Sequence, residues 1–173
     1  MGIGEIAEIV IVDKNNKIIG KILDKDRLDH KEIISRCSVV VISDNEENIL
    51  LQKRSKHKYI YPFWWDNSAG GILKTNQTDN ECIIEELSEE LGINLTITDL
   101  EDCGITYIEH VTKEFIHVYK YKTKQFTPKI NWEVEDTAWM NSEEIEKTIK
   151  SGKISPVCLA AMKKAEEKQK QKN

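Results

Sequence analysis

The sequence predicts an α/β domain in which a mixed central sheet is covered by helices on both faces, an α/β/α sandwich. Two observations point there. Short apolar segments come in pairs joined by polar turns, which reads as hairpins, and two or three helical stretches with recognisable start and stop signals interrupt them.

Taken in order, Ile6–Val12 and Ile18–Leu23 are apolar segments joined by the turn-forming residues 13–17, DKNNK. Cys37–Ile42 and Asn48–Arg54 repeat the pattern across residues 43–47, SDNEE. Thr78 and Glu81 have the spacing of a capping box, and Gly92 is placed to end the helix they open in a left-handed cap. Phe115–Tyr121 alternates like a strand, and Thr137–Met140 is a short strand ahead of a helix opening at Ser142. Ser155 caps the last helix, with Pro156 in its first turn. Residues 1–162 are expected to form one domain with an N-terminal β-hairpin. Residues 163–173, KKAEEKQKQKN, read as a polar, charged tail, the solvated end of that helix.

At 173 residues the chain suits one domain with a full core. A composition of 39% hydrophobic and 32% charged residues is that of a water-soluble protein, and the longest apolar runs are far below the roughly 20 residues of a membrane span. The first residues show no secretory pattern, and Gly2 lacks the Ser or Thr that myristoylation wants at position 6, where Ile6 stands. A cytoplasmic protein is expected. Cys37, Cys82, Cys103 and Cys158 lie far apart with no Cys-x-x-Cys pair, which fits reduced core thiols better than a zinc site. A net charge of −5 speaks against DNA as a partner. It leaves a small anionic ligand open, provided local cations meet it.

The chemistry concentrates in residues 70–93, GGILKTNQTDNECIIEELSEELGI. At about 100° per residue, Ile83, Ile84, Leu87 and Leu91 form an apolar stripe for the core, while Glu86, Glu89 and Glu90 converge on the opposite face. Such carboxylates repel one another unless a divalent cation turns repulsion into ligation. Mg²⁺ takes a few carboxylates together with phosphate oxygens and waters, so the trio suits phosphate chemistry. A solvated acidic face is the plainer alternative; the glycine pair and the fixed distances argue against it.

This segment resembles the Nudix box, Gly-x5-Glu-x7-Arg-Glu-U-x-Glu-Glu-x-Gly-U with U a bulky aliphatic. Gly71, Glu86, Leu87, Glu89, Glu90, Gly92 and Ile93 match in register. Two positions depart: Gln77 stands for the first glutamate and Glu85 for the arginine. The resemblance runs further. Residues 8–20, 50–55 and 63–71 look like the segments of Nudix proteins similar to isopentenyl-diphosphate isomerase, and 133–139 (EVEDTAW) like the segment before the family's last strand.

The resemblance implies a Nudix-like α/β/α sandwich and hydrolysis of a diphosphate linkage in a nucleoside diphosphate derivative or related compound. Mg²⁺ or Mn²⁺ would be held by Glu86, Glu89 and Glu90, with Glu133 as a further catalytic carboxylate. Lys53 and Arg54 are candidate phosphate clamps, at least one of them facing away because successive strand residues alternate. Gly70 and Gly71 are candidates for close approach to the substrate. Trp64 or Trp65 could stack on a base, although closing the core is the stronger expectation. His30, His57, His110 and His117 are read as ordinary surface or strand residues.

Two alternatives remain. The first is isopentenyl-diphosphate isomerase, but Gly70 and Ile72 occupy the positions of its catalytic cysteine and metal-binding histidine, and Glu114 matches only one of its acidic residues. The second is a weakly active protein that binds diphosphate ligands, suggested by the changes at Gln77 and Glu85. Glutamate cannot donate hydrogen bonds to its neighbours as arginine would. Glu85→Arg is therefore expected to raise hydrolysis. The oligomeric state stays open, a homodimer included.

Overall fold

A computed structural model describes residues 7–171. Gly2, Ile6 and the last two residues of the tail lie outside them. The expected first strand begins among the described residues at Glu8.

Among the described residues nine strands form one mixed sheet. β1 (Glu8–Val12) and β2 (Ile18–Leu23) make the N-terminal hairpin, and β3 (Ile34–Ser43) and β4 (Ile49–Arg54) make the second. Both turns use one device. The Asp13 carboxylate accepts from the backbone N–H groups of Asn15 and Lys17, and Asp44 does the same for Glu46 and Asn48. β5 (Trp65–Asp66) pairs with β4, and β6 (Ala69–Ile72) lies antiparallel on the middle of β3. β7 (Glu101–Glu109) and β8 (Lys113–Lys122) form a third hairpin, and β8 runs parallel to β3 along its whole length. β9 (Val134–Met140) closes on β4. This one parallel pairing among antiparallel ones makes the sheet mixed.

β3 shows why both faces are covered. Its residues alternate sides. Val40 and Ile42, with Leu50 and Tyr119, pack against Ile83, Leu87 and Leu91 of α1 (Asp79–Leu91). Cys37, Val39 and Val41, with Ile116 and Val118, pack against Ala161 and Ala165 of α3 (Pro156–Lys170). α2 (Ser142–Lys150) follows β9, capped by Asn141. Residues 163–170 therefore belong to α3, and only their outward face is solvated. Ala165 is buried because it repeats the side of Ala161 one turn on and meets the sheet beside Cys103.

The ends of α1 are those the residues predict. Thr78 and Glu81 form the reciprocal capping box, and Gly92 adopts the left-handed conformation at φ 67° while its N–H bonds to Ser88. Ser155 caps α3 through the Cys158 N–H. The four cysteines are free and buried. Among the described residues no helix is long and apolar enough to cross a membrane.

Candidate active site

β6 positions the acidic helix. Gly71 has no side chain, so Glu86 of α1 comes to lie almost on the strand: a Cβ added to Gly71 would stand 2.0 Å from Oε1 of Glu86. The Gly70 N–H donates to Glu90 Oε2 at 3.0 Å, and the Gln52 amide on β4 donates to the same oxygen at 3.0 Å. Gly70 thus spends its N–H on Glu90, and what it can offer a ligand is bare backbone.

The acidic residues do not share one solvated face. Glu86 and Glu90 are 9% and 3% exposed, whereas Glu89 is exposed. The expected placement of all three opposite the apolar stripe holds for Glu89 alone: at about 100° per residue Glu90 lies roughly 20° and Glu86 roughly 60° from Ile83, on the flank that meets β6 and β4. Burial and the like charges of Glu90, Glu133 and Glu89 push the Glu86 carboxyl well above the usual carboxylate range. Burial pushes Glu90 up to about 7, although Lys58, the Gly70 N–H and the Gln52 amide all pull the other way. Among the described residues no three His, Cys, Asp or Glu side chains gather as a ready-made cage for a metal. The donor chemistry nonetheless fits a hard divalent cation. It supplies buried carboxylate oxygens that repel each other and a rim open to phosphate oxygens and water.

Glu86 and Glu89 open into a cavity of 650 Å³ that Gly70, Gly71, Arg54, Lys58, Lys74 and Glu133 also line. Glu133 precedes β9 and pairs with Lys58. Arg54 lies on the cavity wall, its guanidinium on Asp66 at 2.8 Å and on the Ile60 carbonyl at 3.0 Å. Lys53, the next residue on the strand, is absent from the cavity wall and sits 5.9 Å from the Trp65 ring. The alternation of β4 separates the two candidate clamps.

Neither Trp64 nor Trp65 lines the cavity. Trp64 packs on Tyr61 with ring centroids 4.7 Å apart, and Trp65 packs beside Leu51 and Met140. The aromatic lining comes instead from Tyr59, Tyr61 and Trp132. Trp132 escaped the sequence reading because it lies in a polar stretch outside any strand pattern; its place next to Glu133 was the available signal. Glu114, also on the cavity wall, is buried, held by Arg27 Nη1 at 2.9 Å, with the Cys37 thiol 3.7 Å from its second oxygen. Burial, with Glu114 nearby, raises the Cys37 thiol and keeps it protonated.

Glu85 is not without partners. Gln77 donates its amide to Glu85, and Lys74 Nζ lies 3.0 Å from the same carboxylate oxygen. The two positions at which the chain departs from the box therefore touch. Where the box would set an acceptor at 77 against a donor at 85, this chain sets a donor against an acceptor. This contact changes the expectation for Glu85→Arg alone, since an arginine there would meet the Lys74 ammonium and lose the acceptor that Gln77 and Lys74 now bind. Of the four histidines, His117 is bound by Asp102 at 2.9 Å and lies 3.6 Å from Asp79, and His110 meets the Tyr61 hydroxyl. None lines the cavity.

Residues 35–159 match the NUDIX domain. The chain belongs to the Nudix family. It is 28% identical over 141 residues to isopentenyl-diphosphate Delta-isomerase 2 of Photorhabdus laumondii, covering 77% of this chain and 76% of that protein. It is 25% identical over 163 residues to an uncharacterised Nudix hydrolase of Yersinia pestis, covering 88% and 81%. Among solved structures, a protein of Deinococcus radiodurans superposes with a TM-score of 0.73 at 22% identity, over 90% of this chain and 96% of that one. The bifunctional NMN adenylyltransferase/ADP ribose pyrophosphatase of Francisella tularensis, solved with AMP and a manganese ion, superposes at 0.59 and 22% identity. That match covers 75% of this chain and 40% of the other. The Nudix fold is thus common to relatives of differing chemistry, and the site has to decide among them.

Proposed function

We propose that this Nudix protein hydrolyses a diphosphate linkage with Mg²⁺ or Mn²⁺ held by Glu86, Glu89 and Glu90. The observation that carries the reading is the single cavity into which Glu86 and Glu89 open beside Arg54, Lys58 and Lys74. Acids that hold a cation and bases that meet phosphate oxygens line one space. A bound divalent cation would lower the pKa of water and neutralise charge on the leaving phosphate. The chain's own contribution is positioning. The Gly70 N–H and Gln52 hold Glu90, Asp66 holds the Arg54 guanidinium, and Lys58 holds Glu133 beside the reacting region. Glu133 is the carboxylate available to take a proton from the attacking water.

Tyr59, Tyr61 and Trp132 give the cavity aromatic faces on which a base could stack for ~1–3 kcal/mol, which favours a nucleoside diphosphate derivative. The ADP ribose pyrophosphatase of Francisella tularensis supports that substrate class by analogy. Purified protein tested against nucleoside diphosphate sugars, dinucleotide-type compounds and prenyl diphosphates with Mg²⁺ or Mn²⁺ should release a phosphorylated product from the first group. Ligand-induced stabilisation with no turnover on any of them would favour a binding protein instead.

One observation favours a second reading, isomerisation of a prenyl diphosphate. A protonated thiol, Cys37, and a buried carboxylate, Glu114, share the cavity with the acidic helix, and a relative carries the isomerase name. Against it, the strand position expected to supply the acid is Gly70. A Cβ there would meet Val39 Cγ1 at 2.7 Å and the Ser38 carbonyl at 2.9 Å.

A further inference from the structure

Four carboxylates crowd one stretch of α1: Glu85, Glu86, Glu89 and Glu90. Two lysines bracket them from different parts of the chain. Lys58 pairs with Glu133, and Lys74, on the connection between β6 and α1, pairs with Glu85. Lys74 is built into that place. Its backbone N–H donates to the Gln77 side-chain oxygen at 3.1 Å, its residue bridges Ile9 of β1, and its ammonium reaches Glu85 at 3.0 Å. The Gln77 amide completes a closed ring: Lys74 backbone to Gln77 oxygen, Gln77 nitrogen to Glu85, Glu85 to the Lys74 ammonium.

We propose that Lys74 is the positioning residue of the acidic helix. Through Glu85 and Gln77 it holds the edge of α1 on which Glu86 and Glu89 stand, so that these carboxylates are set for a divalent cation. Position 85 thereby keeps its task with its charge reversed. A donor at 85 would act on an acceptor at 77, whereas here an acceptor at 85 is gripped by an amide and an ammonium from the loop. Lys74 also cancels the charge that Glu85 would otherwise add to the cluster. Burial by itself would lower the Lys74 ammonium, yet the Glu85 carboxylate, with Glu86 and Glu89 behind it, holds it above its ordinary value. The inference rests on the metal reading of the preceding section. It adds a residue outside the metal-binding trio and a coupling between positions 74, 77 and 85.

The coupling is tested by Mn²⁺ binding, read by the electron paramagnetic resonance of free ion, with steady-state hydrolysis beside it. Lys74→Ala should weaken Mn²⁺ binding by about tenfold, the lower end of what loss of an outer partner of metal ligands costs. Lys74→Arg should restore most of it. In the double variant Gln77→Glu, Glu85→Arg, where the pair no longer needs an external cation, adding Lys74→Ala should change affinity by less than twofold. Glu85→Arg alone should bind Mn²⁺ more weakly than wild type. Unchanged Mn²⁺ affinity in Lys74→Ala, or an equal loss in both backgrounds, would overturn the assignment, since a merely structural lysine would matter regardless of positions 77 and 85. Wild-type protein that binds no Mn²⁺ would instead sink the metal reading itself.

Discussion

The Glu90 carboxylate accepts the Gly70 backbone N–H at 3.0 Å, which ties the helix that carries the acids to the strand that lets it approach. The contact keeps a buried carboxylate in place and leaves Glu86 and Glu89 facing the cavity.

Glu90→Gln keeps the size of the side chain and removes the charge a cation needs. Turnover of a diphosphate substrate should fall at least tenfold, about 1.4 kcal/mol of barrier. Glu89→Gln should do the same from the exposed side. Mg²⁺ or Mn²⁺ at a hundredfold over its Kd should stabilise the wild type by about 2.7 kcal/mol, visible as a rise in Tm. That rise should shrink in both variants, and unchanged rate and unchanged metal-induced Tm in both would remove the trio from the site.

Gly71→Ala puts a methyl group where Glu86 Oε1 now lies, 2.0 Å from the ideal Cβ position. Either the helix or the carboxylate must move, at a cost of roughly 1–3 kcal/mol in stability. Hydrolysis should fall further than stability does, because the displaced group is a proposed metal ligand. Gly20→Ala is the control: its nearest neighbour would be 4.0 Å away. A urea midpoint and a kcat/KM for Gly71→Ala that both match wild type would refute the close approach.

His117 carries a pH-dependent share of stability. Burial alone would lower its pKa, but the Asp79 and Asp102 carboxylates outweigh that and raise it above 6.5. A group raised on folding contributes fully below its unfolded pKa of 6.5 and loses that contribution as pH climbs through the folded value. Unfolding free energy should therefore decline from pH 6.5 upward, and His117→Asn should flatten that part of the profile. An NMR titration of His117 with a midpoint below 6.5 would contradict the prediction.

Isopentenyl diphosphate should not be converted to its allylic isomer. Gly70 has no acid to give an alkene, and Ile72 holds no metal. Labelled substrate followed by product analysis settles the matter. Allylic product above a no-protein control, lost in Cys37→Ala or Glu114→Gln, would show that the thiol–carboxylate pair had taken over the chemistry.

The residues that could be read from the sequence are those whose signals are local. A capping box spans four residues, a left-handed glycine ends a helix where it stands, and an aspartate two residues ahead of free N–H groups makes its own turn. For that reason the bounds of α1, the start of α3 and the first two hairpins follow from the chain alone, as do the register of the Nudix box and its acidic trio. Strands β5 and β6 are too short for a period to show. In β7 only Cys103 is buried, so its alternation carried little signal.

What the tertiary structure decided is which of these local features meet. The wheel of α1 sets Glu90 and Glu86 on the flank of the apolar stripe and Glu89 opposite it, and the packing of β6 and β4 decides that this flank is closed and the two acids on it are buried. Lys53 and Arg54 are equal candidates in sequence until the strand is given a direction. Gln77 and Glu85 read as two separate losses until the turn into the helix brings them together under Lys74. Charge and hydrogen-bond complementarity act through space over a few ångströms, and residues 8 or 11 positions apart acquire such distances only once the loop is folded.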